Sequence, residues 1–127
     1  MREPVTLSWA GGREDAFLLR IGEMISLEKV CDAGVGRILS RLMASLTGDT
    51  AFYVADVIET LRLGLIGGGM SRDEAAKTVS QAADWHGLLT LAPVALAVLS
   101  ASLRSDDEDE AEEEQDEAKK KAASTVG

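Results

Sequence analysis

The run Val57-Ile-Glu-Thr-Leu-Arg-Leu-Gly-Leu-Ile-Gly-Gly-Gly69, followed by Met70-Ser-Arg-Asp-Glu74, constrains this chain more than any other stretch. Glycine takes the positive φ that closes a helix without steric cost. Three in succession after Gly64-Leu65-Ile66 predict a hard helix stop at Gly67, Gly68 and Gly69 and a flexible corner. Ser71 is placed to cap the next helix, and Glu74 three residues on has the capping-box spacing. The fold is therefore expected to turn on a helix–corner–helix unit.

Periodicity places the other elements. Residues 5 to 21 read as a β-hairpin: Val5, Leu7 and Trp9 alternate with Thr6 and Ser8, and Phe17, Leu19 and Ile21 alternate with Leu18 and Arg20. A two-residue Gly11-Gly12 turn would split the apolar sets between two faces. The expected pairing is Val5 with Ile21, Leu7 with Leu19 and Trp9 with Phe17, around a five-residue loop from Gly11 to Asp15. From Gly22 the period becomes helical. Met24, Ile25, Leu27 and Cys31 suit a short helix that stops near Gly34. Val35, Ile38, Leu39, Leu42, Met43 and Leu46 stripe a second, with Arg37 and Arg41 on its other side and Gly48 at its end.

Asp49 or Thr50 is expected to cap a third helix, Phe52 to Ile66, striped by Val54, Val57, Ile58, Leu61 and Leu65 with Asp56, Glu59 and Arg62 outside. Ser71 opens a fourth, with Ala75, Ala76, Val79 and Ala83 inward and an end near Gly87. Pro93 suits the first position of a fifth helix, which runs to about Arg104 and is apolar nearly all round. The expected fold class is α+β, mainly α: an N-terminal β-hairpin and about five short helices over residues 1–104, then a disordered acidic tail over 105–127.

Charge supports that division. Ten acidic residues lie between Asp106 and Glu117, leaving 12 acids against 10 bases in residues 1–104, a net of −2; the tail carries the other −7 of the −9. With almost no large apolar side chains, the tail cannot offset its ordering entropy. Such a tail repels polyanions, so neither nucleic acid nor membrane is an expected partner. The longest apolar stretch, Leu88 to Leu99, is interrupted by Thr90 and Pro93 and falls short of the roughly 20 residues a bilayer span needs. A lone Cys31 excludes an internal disulfide and fits a reducing cytoplasm.

Chemistry-bearing constellations are sparse. His86 is the single histidine, and no Cys/His cluster offers metal ligands. Cys31 would need His86 as its base, 55 residues away, and reads better as a buried small hydrophobe. The glycine run lacks P-loop spacing, and Asp73 and Glu74 occupy the first turn where a phosphate would lie. The acidic run lacks EF-hand spacing. No enzyme activity and no cofactor are expected. Trp9 is read as core facing Phe17, and Trp85 as either core or an aromatic anchor for a partner. The candidate partner-binding surface comprises Trp85, Leu88, Leu91, Val94, Leu96, Val98 and Leu99.

The order of features resembles a known family. A β-hairpin passes into a short helix carrying Leu27-Glu28. A glycine-punctuated helix with Arg41-Leu42 follows, then the Gly64-Leu65-Ile66-Gly67-Gly68-Gly69 corner, then Ser71 with Asp73-Glu74-Ala75. Over about residues 4 to 100 the chain resembles the small tail proteins of gene transfer agents and related siphophages, described as tail tube proteins or grouped with tail assembly chaperones. The resemblance implies a non-enzymatic role in building a phage-like tail, in a bacterial cytoplasm or within the particle. The expected role is a tail assembly chaperone that coats the helical tape-measure protein. The alternative is a structural tail tube component, a role that implies more β-structure than one hairpin. A second alternative is a small acidic regulatory protein-binding module. Partners are expected to be tape-measure or other tail proteins, with homo-oligomerisation compatible.

Overall fold

The computed structural model describes residues 3–104. Two strands, β1 (Val5–Trp9) and β2 (Arg13–Phe17), form an antiparallel hairpin. Five helices follow: α1 (Ile21–Cys31), α2 (Val35–Ala44, continued by a 3-10 turn Ser45–Thr47), α3 (Val54–Gly67), α4 (Arg72–His86) and α5 (Leu88–Leu103). The expected α+β, mainly α class holds. The acidic segment 105–127 lies outside the described residues, as does the expectation of its disorder. No described helix is long and apolar enough to cross a membrane.

Helix α3 is the hub: it touches α1, α2, α4, α5 and β2. Its Val57, Leu61 and Leu65 are fully buried, against a core that includes Phe17, Leu27, Ile38, Leu42, Val79, Leu91 and Leu99. Full burial of a Leu, Ile or Phe side chain stabilises by about 1.5–3 kcal/mol, so this cluster dominates the fold.

The hairpin faces match expectation, but the register does not. Val5 pairs with Phe17, Leu7 with Asp15 and Trp9 with Arg13, around a three-residue turn, Ala10 to Gly12. All three turn residues have positive φ (47°, 81° and 102°), and the Gly12 N–H donates to the Trp9 carbonyl at 3.1 Å. Because the slip from the expected register is an even number of residues, side chains keep their faces. Trp9 and Phe17 still meet, edge to face at 5.4 Å, though they are not cross-strand partners. Asp15 shares their face and is satisfied there: it accepts from the Trp9 Nε1–H at 2.8 Å and from Arg13. Strand β2 ends at Phe17, and the next amide, Leu18, which faces away from β1, donates to the Gly64 carbonyl of α3 at 2.9 Å. Leu19 is buried on the linker, where its N–H donates to Ser102 Oγ of α5. Ile21 begins α1 and is exposed, not paired with Val5.

Several helix details also differ from expectation. Ile25, Met43, Leu46, Val54 and Ala76 are exposed, because each lies at the margin of its stripe or beyond the helix it would cover. The N-cap of α3 is Tyr53, not Asp49 or Thr50, and its N–H donates to Asp56 Oδ2 at 2.8 Å. Helix α5 begins at Leu88, placing Pro93 inside it. Leu89 and Pro93 are both exposed, so the Leu89 carbonyl left without its helical donor lies on the solvent side. Ser71 caps α4 as expected, accepting from the Glu74 N–H at 3.2 Å.

Candidate functional site

The glycine corner works mainly by close approach. A Cβ on Gly67 would overlap the Leu18 carbonyl, and one on Gly68 would overlap the Ala16 carbonyl. A Cβ on Gly64 would lie 3.1 Å from both Phe17 and Val98. Only Gly69 of the run has positive φ, at 114°. It closes α3 as a Schellman motif: the Met70 N–H donates to Leu65 O at 2.9 Å and the Gly69 N–H to Ile66 O at 3.0 Å. The expected flexible corner is instead a smooth helix flank, Gly64-Gly67-Gly68, on which the end of β2 lies backbone to backbone. Arg20 ties the same end by donating to the Gly67 carbonyl at 3.3 Å.

The candidate partner-binding residues divide. Leu91, Val98 and Leu99 are core, since α3, α2 and β1 surround α5 and leave them no outlet; they cannot meet a partner in this fold. Leu88, Val94 and Leu96 are half-buried against the same core. Trp85 is 85% exposed in the last turn of α4. Beside it stands the hairpin turn, where a Cβ on Gly11 would meet the His86 ring, and Ala10 to Gly12 offer nothing large enough to cover an indole. Ala10, Arg13, Gln81, Trp85 and His86 edge a groove of about 170 Å³ there. Other exposed apolar side chains include Ile21 and Ile25 on α1, and Met43, Leu46, Tyr53 and Val54 between α2 and α3.

One cluster escaped sequence reading. Asp56, expected outside, is completely buried, and Arg41 folds over it. Arg41 Nε and Nη2 donate to Asp56 Oδ2 and Oδ1, both at 2.7 Å, a bidentate pair across α2 and α3. The Arg41 guanidinium also lies 4.0 Å from the Tyr53 ring centroid. Burial, then the neighbouring Asp56 carboxylate, pushes the Cys31 thiol up to about 12, the opposite of an activated nucleophile. The cluster locks helices together. Among the described residues no group of three or more His, Cys, Asp or Glu is placed to hold a metal ion.

Among the described residues, this geometry offers packed helices that present isolated apolar side chains beside shallow grooves. Comparison with known families narrows the readings it leaves open. Residues 2–105 match the family described as phage tail tube protein, GTA-gp10. This chain belongs to that family. The GTA-gp10 match takes in the hairpin, all five helices and the glycine corner, and stops where the acidic segment begins. The matched span coincides with the hairpin-and-helix body, and residues 106–127 lie outside it. No curated protein and no solved structure gives a match.

Proposed function

We propose that this chain is a structural component of a phage-like tail, acting through protein–protein contacts and not through catalysis. The observation that carries this reading is the match to the phage tail tube family across the whole folded body. Exposed apolar side chains on a rigid scaffold support it: Trp85, Tyr53 and Leu46 are anchors of the kind that subunit contacts bury. Its partners are other tail proteins and further copies of itself, and its place is the particle.

A second reading, a tail assembly chaperone for the tape-measure protein, draws on a different observation. The described residues hold one two-stranded hairpin, little strand from which to build a tube wall. Deleting the gene in a particle-producing host tests the shared part: tailless heads are expected, and normal tails overturn it. Co-expression with the tape-measure protein separates the two readings. A stable complex with several copies per tape-measure chain supports the chaperone; its absence supports the structural component.

A further inference from the structure

The two edges of the hairpin are not equivalent. The outer edge of β2 is covered at its Ala16–Leu18 end: the Leu18 N–H donates to Gly64 O, and the Ala16 carbonyl abuts Gly68. The even-numbered residues of β2 thus turn their backbone groups toward α3, away from β1. In an antiparallel ladder the residues opposite them do the same on the other side. Those residues are Thr6, opposite Ala16, and Ser8, opposite Glu14. Both are exposed, and neither makes a backbone bond outside the hairpin among the described residues. Edges of this kind are usually blunted by a lysine, a proline or a bulge. The strand Val-Thr-Leu-Ser-Trp has none of these; Pro4 merely marks its start.

We propose that β1 is the surface through which two copies of this chain join, their Val5–Trp9 strands pairing antiparallel about Leu7 into one four-stranded sheet. The inference rests on the reading above, in which copies of the chain assemble. The occupant follows from the edge itself. With the end of β2 held against α3, β1 is the edge free along its length, and two copies meeting through it make an isologous, two-fold contact. Centred on Leu7, the strand is self-complementary: Thr6 faces Ser8 of the second copy, Ser8 faces its Thr6, and about four backbone hydrogen bonds form. No charged side chain of β1 is brought against a like charge. Leu7, half-buried in one copy, is continued by Leu7 of the other, and the half-buried Val5 lies opposite its Trp9. A two-stranded ribbon is marginal alone, and doubling it to four strands stabilises it. Such a pair is closed, so β1 yields dimers, and further assembly must use the helical faces.

Size-exclusion chromatography with light scattering on the full chain tests this. The wild type is expected at the mass of a dimer, dissociating on dilution. Ser8→Pro removes only an outward N–H and spares the internal ladder. It should remain folded by circular dichroism and weaken association at least tenfold. Leu7→Cys supplies a positive readout. Leu7 faces Leu7 of the second copy across a narrow non-hydrogen-bonded site, where Cα atoms come close enough for a disulfide. The thiol of Cys31 is buried and should not compete. Leu7→Cys treated with diamide should therefore give a covalent dimer. A monomeric wild type, a folded Ser8→Pro that associates like wild type, or a folded Leu7→Cys that does not cross-link each overturns the proposal. The two readings fail separately. If particles contain the chain but Ser8→Pro still pairs, the β1 contact falls and the structural role stands. If β1 pairs but particles lack the chain, the contact stands and the role falls.

Discussion

The Leu18 N–H donates to the carbonyl oxygen of Gly64 at 2.9 Å, joining the end of the hairpin to the last turn of the central helix. The same carbonyl accepts from the Gly68 N–H, also at 2.9 Å. A strand end can approach a helix this closely only where the helix has no side chains. Gly67→Ala and Gly68→Ala should therefore destabilise by about 1–3 kcal/mol or more, since the obstacle is backbone and cannot rotate away. Gly36→Ala in α2, which meets nothing within 4 Å, should stabilise by about 0.5 kcal/mol. Urea denaturation of the three variants checks this. Equal effects at Gly36 and Gly67 would contradict the close approach.

Asp56→Ala leaves the Arg41 guanidinium and the Tyr53 N–H facing a vacated, buried site. A loss of about 3–5 kcal/mol is expected, as for other broken buried ion pairs. The double variant Arg41→Met/Asp56→Ala should lose less than the sum of the single variants, because the stranded charge is gone. Thermal denaturation of the four proteins measures that coupling. Strict additivity would mean that the pair carries no weight.

Cys31 predicts a specific alkaline sensitivity. Its folded value of about 12 lies above the ordinary 9.0, so the folded state holds the proton more tightly than the unfolded chain. That contribution is fully present below about pH 9 and is lost as pH rises toward 12. Cys31→Ala should flatten the fall in stability over this window relative to wild type. Identical pH profiles for the two proteins would contradict the burial of the thiol.

The two tryptophans should report opposite environments. Trp9 is 4% exposed and Trp85 85% exposed. Acrylamide should quench two fluorescence populations, and Trp85→Phe should abolish the accessible one with a stability change under about 0.5 kcal/mol. Trp9→Ala should cost about 3–5 kcal/mol, with loss of the Phe17 contact and of the Asp15 hydrogen bond. A single, uniformly quenched population would contradict the placement of both.

Legibility in the sequence followed how local each cause was. Helix ends at Gly48 and Gly87, the Ser71 cap and the shared face of Trp9 and Phe17 depend on neighbours within one turn or one strand, and were readable. The family, too, was readable, because the hairpin, the glycine corner and Ser71 with Glu74 keep a fixed order. Asp56 was not, because its place depends on Arg41, 15 residues away on another helix. Gly67 and Gly68 read as conformational stops because a close approach has no local signature. The hairpin register departed from expectation because Ala10, Gly11 and Gly12 close a tighter turn at positive φ, a conformation that an alanine does not signal. Leu91, Val98 and Leu99 could not be told from partner-binding residues, since a helix apolar on every side carries no phase.

Quantitative mass spectrometry of purified mature particles tests the central claim most directly. A structural tail component predicts many copies of this chain per particle, at a fixed ratio to the other tail proteins. Particles with intact tails that lack the chain would contradict it and move the assignment to a protein that acts only during assembly.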